Sequence, residues 1–194
     1  MLHKEFWFPT QIYIKEFNLD NNKLAHDIVE WSKQDPGLNK TNVNGWHSKS
    51  DMHQKPEYKP LVDQLFQMQQ EIFKEDCLAD QPVLGNRWAN INPPGGFNRP
   101  HIHPNSLWSG VYYIKTPQHC GHLKLEDPKT RAEMVMPKRT TEQLPKYLWK
   151  EVHYEPIAGR CIMFPSWLNH TVDPNLSTDI RISVSFNFLQ KGFE

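Results

Sequence analysis

Two kinds of hydrophobic periodicity divide this chain. Over residues 19–35, Leu24, Ile28 and Trp31 recur at spacings of four and three, which marks one face of an amphipathic helix, and Asp20 is placed to cap its start. Residues 60–78 repeat the pattern with Leu61, Leu65, Met68, Ile72 and Phe73, and Pro60 suits a first helical turn. Between them lies a polar, turn-rich stretch, residues 38–56, which reads as surface loop or as part of a substrate lid. From residue 82 onward the period changes to two. Short β-rich runs (RWANIN, LWSGVYYIK, GHLKLED, AEMVMP, RCIMFPSW, IRISVSFNF) alternate with Pro/Gly turns, the rhythm of a sandwich or barrel.

The last run is the clearest. Ile180, Ile182, Val184, Phe186 and Phe188 alternate with Arg181, Ser183, Ser185 and Asn187, so one face of the strand is apolar and the other polar. On an exposed sheet the polar face would meet water. In a closed double sheet the same pattern lays the apolar face under the helices and turns Arg181 and Ser183 into the lumen. The histidines favour the second arrangement. HIHP (101–104) sets two imidazoles one residue apart, on the same face of an extended strand, and NHTVDPNLSTDIRIS (169–183) adds His170, then Arg181 eleven residues on and Ser183 thirteen on. Three neutral imidazoles suit a first-row transition metal with open positions, and a buried arginine is a fixed fork for a carboxylate. The other histidines, among them His47, His53, His122 and His153, lack paired strand spacing and read as surface or core residues, with His47 and His53 candidates for substrate contact.

Composition narrows the class. The chain has 194 residues, a length suited to one domain with a proper core. Lys+Arg and Asp+Glu number 22 each, so zero net charge gives no electrostatic footprint for nucleic acid or membrane. No apolar run approaches spanning length, and MLHKEFWFPT carries no apolar leader core. Cys77, Cys120 and Cys161 are odd in number and far apart, which predicts reduced thiols and a cytoplasmic setting. Gly95 and Gly96 in INPPGGFNRP permit a tight turn or a lip over the site; no helix follows, so they are no phosphate loop.

The strings NRPHIHPNSLWSGVYYIKTP, GHLKLEDP, GRCIMFPSWLNHTVDPN and RISVSFNF, spanning residues 86–188, resemble the 2-oxoglutarate/Fe(II)-dependent oxygenases, in particular a small branch found in bacteria and marine phages. The resemblance implies an α+β, mainly β fold: a double-stranded β-helix (jelly roll) with the N-terminal helices packed on its larger sheet, all within one domain, 1–194, of helical front 1–80 and core 82–190. It implies Fe(II), 2-oxoglutarate and O2 as cofactors and co-substrates, and hydroxylation of a C–H bond with release of succinate and CO2. His101, His103 and His170 become the metal ligands and Arg181 and Ser183 the co-substrate anchor, with Tyr113 and Asn92 as helpers; whether Tyr112 or Tyr113 faces inward stays open.

One position departs from the family. Its usual first motif is His-x-Asp or His-x-Glu, and here the second residue is His103. Either three histidines hold the metal, or His103 and Asn105 play the motif's two roles, or a carboxylate such as Asp127 reaches in from another strand. An imidazole at 103 leaves no room for halide, which argues against halogenation. Two other classes remain: a cupin-type three-histidine iron dioxygenase independent of 2-oxoglutarate, and a non-catalytic ligand-binding barrel. The expected partner is a small-molecule or peptidyl substrate, with neither membrane nor nucleic acid; the sequence is silent on oligomeric state.

Overall fold

The computed structural model describes residues 1–79, 82–129 and 137–190. Most of the AEMVMP run, residues 132–137, lies outside the described residues. A short strand β1 (Tyr13–Glu16) leads into helix α1 (Asn21–Gln34), whose N-cap Asp20 accepts a 3.0 Å bond from the Lys23 amide. Two-residue strands β2 (Asn42–Val43) and β3 (Trp46–His47) follow, then α2 (Lys59–Glu75). The rest is β: β4 (Pro82–Asn92), β5 (Phe97–His101), β6 (Trp108–Lys115), β7 (Leu123–Glu126), β8 (Glu151–Tyr154), β9 (Arg160–Pro165), β10 (His170–Val172) and β11 (Arg181–Gln190).

These strands form two facing antiparallel sheets. The larger has the order β1-β9-β6-β11-β4-β3 and the smaller β2-β5-β10-β7-β8. The strand order of each sheet interleaves early and late segments, as expected of a jelly roll. The apolar faces of α1 (Leu24, Ile28, Trp31) and α2 (Leu61, Leu65, Met68, Ile72, Phe73) bury against Ile182, Val184, Phe186 and Phe188 of β11 and their neighbours on β4 and β6. That is the outer face of the larger sheet. Burial of each such side chain contributes roughly 1.5–3 kcal/mol, enough to fix which face turns inward. A second, smaller cluster, including Val111, Tyr113, Leu123, Leu125 and Phe164, fills one end of the space between the sheets.

One expectation needs correction. The stretch 38–56 is more than a loop: β2 extends the smaller sheet through Val43↔Phe97, and β3 edges the larger one through His47↔Asn90. The glycine pair takes the tight-turn reading. Gly95, at φ +79°, donates its amide to the Asn175 carbonyl, and Asn44 Nδ2 donates to the Pro94 carbonyl. The turn is thereby tied to neighbouring loops, which is the work of a plain connection between β4 and β5.

Candidate active site

The site begins with a register. In the smaller sheet, His170 of β10 lies directly opposite His101, the last residue of β5, and their ring centroids are 4.2 Å apart. β5 ends there, so His103 is carried by irregular backbone rather than by the expected extended strand. Its amide donates to the Ser166 carbonyl at 3.0 Å, and its ring comes to 4.9 Å from His101 and 5.1 Å from His170. Each of the three rings offers a nitrogen within 4.8 Å of the others.

Protonation follows from the partners. The Leu168 carbonyl can only accept, so His170 Nδ1 carries its proton toward it (2.9 Å) and leaves Nε2 as a lone pair; His101 does the same through the Arg99 carbonyl at 2.7 Å. Carbonyl groups that fix the tautomer in this way are the usual support of a metal-binding imidazole. Burial, and then neighbouring His101, push His170 down to about 3 and His103 to about 4, and burial lowers His101 too. All three are therefore neutral near pH 7 and offer lone pairs.

The larger sheet supplies the opposite wall. On β11, Arg181, Ser183 and Ser185 face inward, and their cross-strand partners on β4 are Asn92, Asn90 and Trp88; Ser183 also lies opposite Tyr113 of β6. One cavity is lined by the three histidines together with Arg181, Ser183, Tyr113 and Asn92, along with Trp88, Asn90 and Asn98. Tyr113 is the inward tyrosine. Tyr112 turns to the helices, where its hydroxyl donates to Asn21 Oδ1 at 2.7 Å and its ring stacks on Phe17. Among the described residues no carboxylate lines this cavity. Asp127 instead accepts from the Lys129 amide in a separate outer groove, and Asn105 is exposed.

Arg181 is 1% exposed. Its Nη1 donates to the carbonyls of Cys120 (2.6 Å) and Gly121 (3.2 Å), whereas Nη2 is buried without a partner. Burial lowers its affinity for a proton, which makes an anion beside Nη2 favourable. Burial also pushes the Tyr113 phenol up, so its hydroxyl stays protonated and able to donate.

The sequence reading did not single out Trp88. Its indole stacks on His47 at 5.2 Å and 10°, and lies 5.6 Å from His103, so it joins the inner cavity to an outer pocket lined by Leu38, Lys40, His47 and Ile102. Period-two alternation along RWANIN puts Trp88 and Asn90 on the face of Asn92, and that signal was available.

A pH prediction arises from the depressed imidazoles. In metal-free protein the unfolded chain takes up protons below about 6.5, while His103 and His170 in the folded chain do not. Stability contributed by their neutral forms is complete above that pH and is lost as pH falls toward about 4 and then about 3. Melting temperatures of chelator-treated protein should fall over this window, and His103→Gln should flatten the slope. An unchanged slope in the variant would refute the assignment of the depressed pKa.

A family model described as "Putative 2OG-Fe(II) oxygenase" matches residues 86–187. Among solved structures, the chain is similar to a prolyl-4-hydroxylase from Pseudomonas putida (18% identity, TM-score 0.63, 94% of each chain covered). It is also similar to a prolyl hydroxylase from Trichoplax adhaerens in complex with a hypoxia inducible factor peptide fragment (14%, 0.65, 94% of this chain and 84% of that one). HygX from Streptomyces hygroscopicus, with nickel, 2-oxoglutarate and hygromycin B bound, gives 8%, 0.63, and the same two coverages of 94% and 84%. Identities this low speak for the fold, a double-stranded β-helix. No curated protein sequence matches. The family match covers more than half of the chain and includes every histidine of the cavity as well as Arg181 and Ser183, and on that match the chain belongs to the 2OG-Fe(II) oxygenases, whose cofactor and co-substrate are Fe(II) and 2-oxoglutarate.

Proposed function

We propose that this protein hydroxylates a C–H bond of a small-molecule or peptidyl substrate, with His101, His103 and His170 holding the iron and Arg181 and Ser183 anchoring 2-oxoglutarate. One observation carries the reading: a single cavity holds three neutral imidazoles and, on its opposite wall, a buried arginine whose Nη2 has no partner. The donor set fits Fe(II). Its nitrogens are borderline ligands suited to that ion, two of them have their tautomer fixed by a carbonyl, and the second imidazole stands where the family has a carboxylate. Without that carboxylate the ligand set is neutral, so charge compensation of a bound ion would fall to the co-substrate.

When bound, the iron and 2-oxoglutarate supply the activation of dioxygen, coupled to formation of succinate and CO2. The protein's own part is binding, orientation and exclusion of water. Arg181, held by two backbone carbonyls, would present Nη2 to the far carboxylate, and Ser183 and the protonated Tyr113 would donate to the same group. Asn92, whose Nδ2 reaches Asn98 Oδ1 at 3.4 Å, orients polar groups along the same wall. Trp88 stands between this cavity and the outer pocket and lines both, and substrate would enter against Lys40, His47 and Ile102. Neighbouring folds also serve an epimerase and a carbocyclase; an imidazole at 103 fills the ligand position that a competing halide would need, which tells against halogenation.

The test is turnover. With Fe(II), 2-oxoglutarate and oxygen, the purified protein should form succinate slowly without substrate and faster with a true one, which should gain one oxygen atom by mass spectrometry. Succinate formation coupled to a product without added oxygen would overturn the hydroxylase reading.

A further inference from the structure

A second cluster lies outside the cavity, on the opposite face of the smaller sheet. There β10, β7 and β8 are adjacent, and His122, His153 and Asp173 meet at one end of them. Leu123 and Leu125 point inward and are buried, so the residues alternating with them face out. Asp173 Oδ2 lies 3.8 Å from His153 Nδ1 and 4.0 Å from His122 Nδ1. All three donor atoms fall within 4.8 Å of one another. None of these residues lines the inner cavity.

We propose that His122, His153 and Asp173 bind a divalent first-row transition ion of the zinc type, a site separate from the iron centre. Two features distinguish the cluster from a chance meeting of surface charges. The first is support behind a ligand. His153 Nε2 donates to Glu151 Oε1 at 2.9 Å, which fixes the tautomer and leaves the Nδ1 lone pair facing Asp173. A carboxylate behind a histidine is the arrangement that raises ligand basicity at metal sites. Lys124 occupies the other oxygen of Glu151 at 3.1 Å and so keeps that carboxylate out of the ligand position.

The second is a rigid base. The Asp173 amide donates to the His122 carbonyl at 2.9 Å, which locks two of the ligand-bearing backbones together. Gly121, at φ +88°, allows this approach, because a Cβ there would collide with the Asp173 carbonyl. Tetrahedral zinc with bonds of roughly 2.0–2.1 Å needs ligand atoms about 3.4 Å apart. The observed 3.8 and 4.0 Å are within a small rotation of the two exposed imidazoles and the half-buried carboxylate, and water would complete the coordination. A bound ion would clamp edge strand β8 to β7 and β10. It would also brace the 120–121 backbone whose carbonyls receive Arg181.

The probe is Zn2+ on the full, metal-stripped protein, with stoichiometry read after dialysis. The parent should retain two equivalents, His153→Gln and Asp173→Asn one each, and Glu151→Gln two but with roughly 10- to 100-fold weaker affinity at one of them. Parent protein labelled with 15N gives a reading that needs no variant: Zn2+ should shift the ring signals of His122 and His153. Unchanged stoichiometry in His153→Gln and Asp173→Asn, or unmoved His122 and His153 signals in the parent, would overturn the proposal and leave an ion-pair cluster only. His170→Ala separates this site from the iron reading, since loss of one equivalent there and another in His153→Gln identifies two independent sites.

Discussion

Replacing His170 with alanine should abolish stoichiometric Fe(II) binding and, with it, succinate formation. His170 is the central ring of the set: it faces His101 across the β5–β10 ladder, stacks at 24° on His103, and has its tautomer fixed by Leu168. Removing it leaves two imidazoles and no neighbouring carboxylate among the described residues to take its place. Turnover should drop to background, a loss far larger than the folding cost of one buried truncation. Anaerobic titration with Fe(II), read by metal content and by succinate release, checks this against His26→Ala, a substitution on the exposed face of α1. Full iron retention in His170→Ala would remove the histidine from the ligand set.

Arg181→Ala should act differently, on the co-substrate rather than the metal. The guanidinium is buried and one of its nitrogens has no partner among the described residues. Losing a charge-assisted pair inside a shielded cavity costs on the order of 2–5 kcal/mol. At about 1.4 kcal/mol per tenfold, the requirement for 2-oxoglutarate should rise roughly 30- to several thousand-fold, with Fe(II) affinity nearly unchanged. Arg181→Lys should recover little, because a single ammonium cannot both hold the 120–121 carbonyls and meet a carboxylate in fork geometry. Equal 2-oxoglutarate dependence of Arg181→Ala and parent would place the anchor elsewhere.

Much of this architecture was legible in the chain. The 3.6-residue period gave α1 and α2 because each must bury one face, and the period-two pattern of β11 told which side meets those helices and which meets the cavity. The histidine spacing and the offset to Arg181 carried the site. Less was visible where local sequence has no period to show. Strands β2 and β3 are two residues long, and they exist because the cavity-facing edges of both sheets need hydrogen-bond partners, which only the assembled sheets reveal. The choice between Tyr112 and Tyr113 was open since both faces of β6 are apolar; it is settled by Phe17 and Asn21, distant in sequence, on one side and by the Arg181 wall on the other. The second histidine cluster escaped notice for a similar reason. His122, His153 and Asp173 sit on three separate segments and share no motif, so only the pairing of β10, β7 and β8 brings them together.

Membership of the 2OG-Fe(II) oxygenases also decides between the two iron chemistries that a three-histidine cavity permits. A dioxygenase independent of 2-oxoglutarate would leave the buried Nη2 of Arg181 without purpose. Among the described residues no helix is long and apolar enough to cross a membrane.

Three histidines, without a carboxylate, should hold the iron opposite Arg181. Crystals of the full protein grown without oxygen, with Fe(II) and 2-oxoglutarate, and measured for anomalous scattering at the iron edge, test it most directly. One iron peak should lie within bonding distance of His101, His103 and His170, with the far carboxylate of 2-oxoglutarate on Arg181 and Ser183. An inner-cavity iron with His103 turned away, or bound through a protein carboxylate, would contradict it.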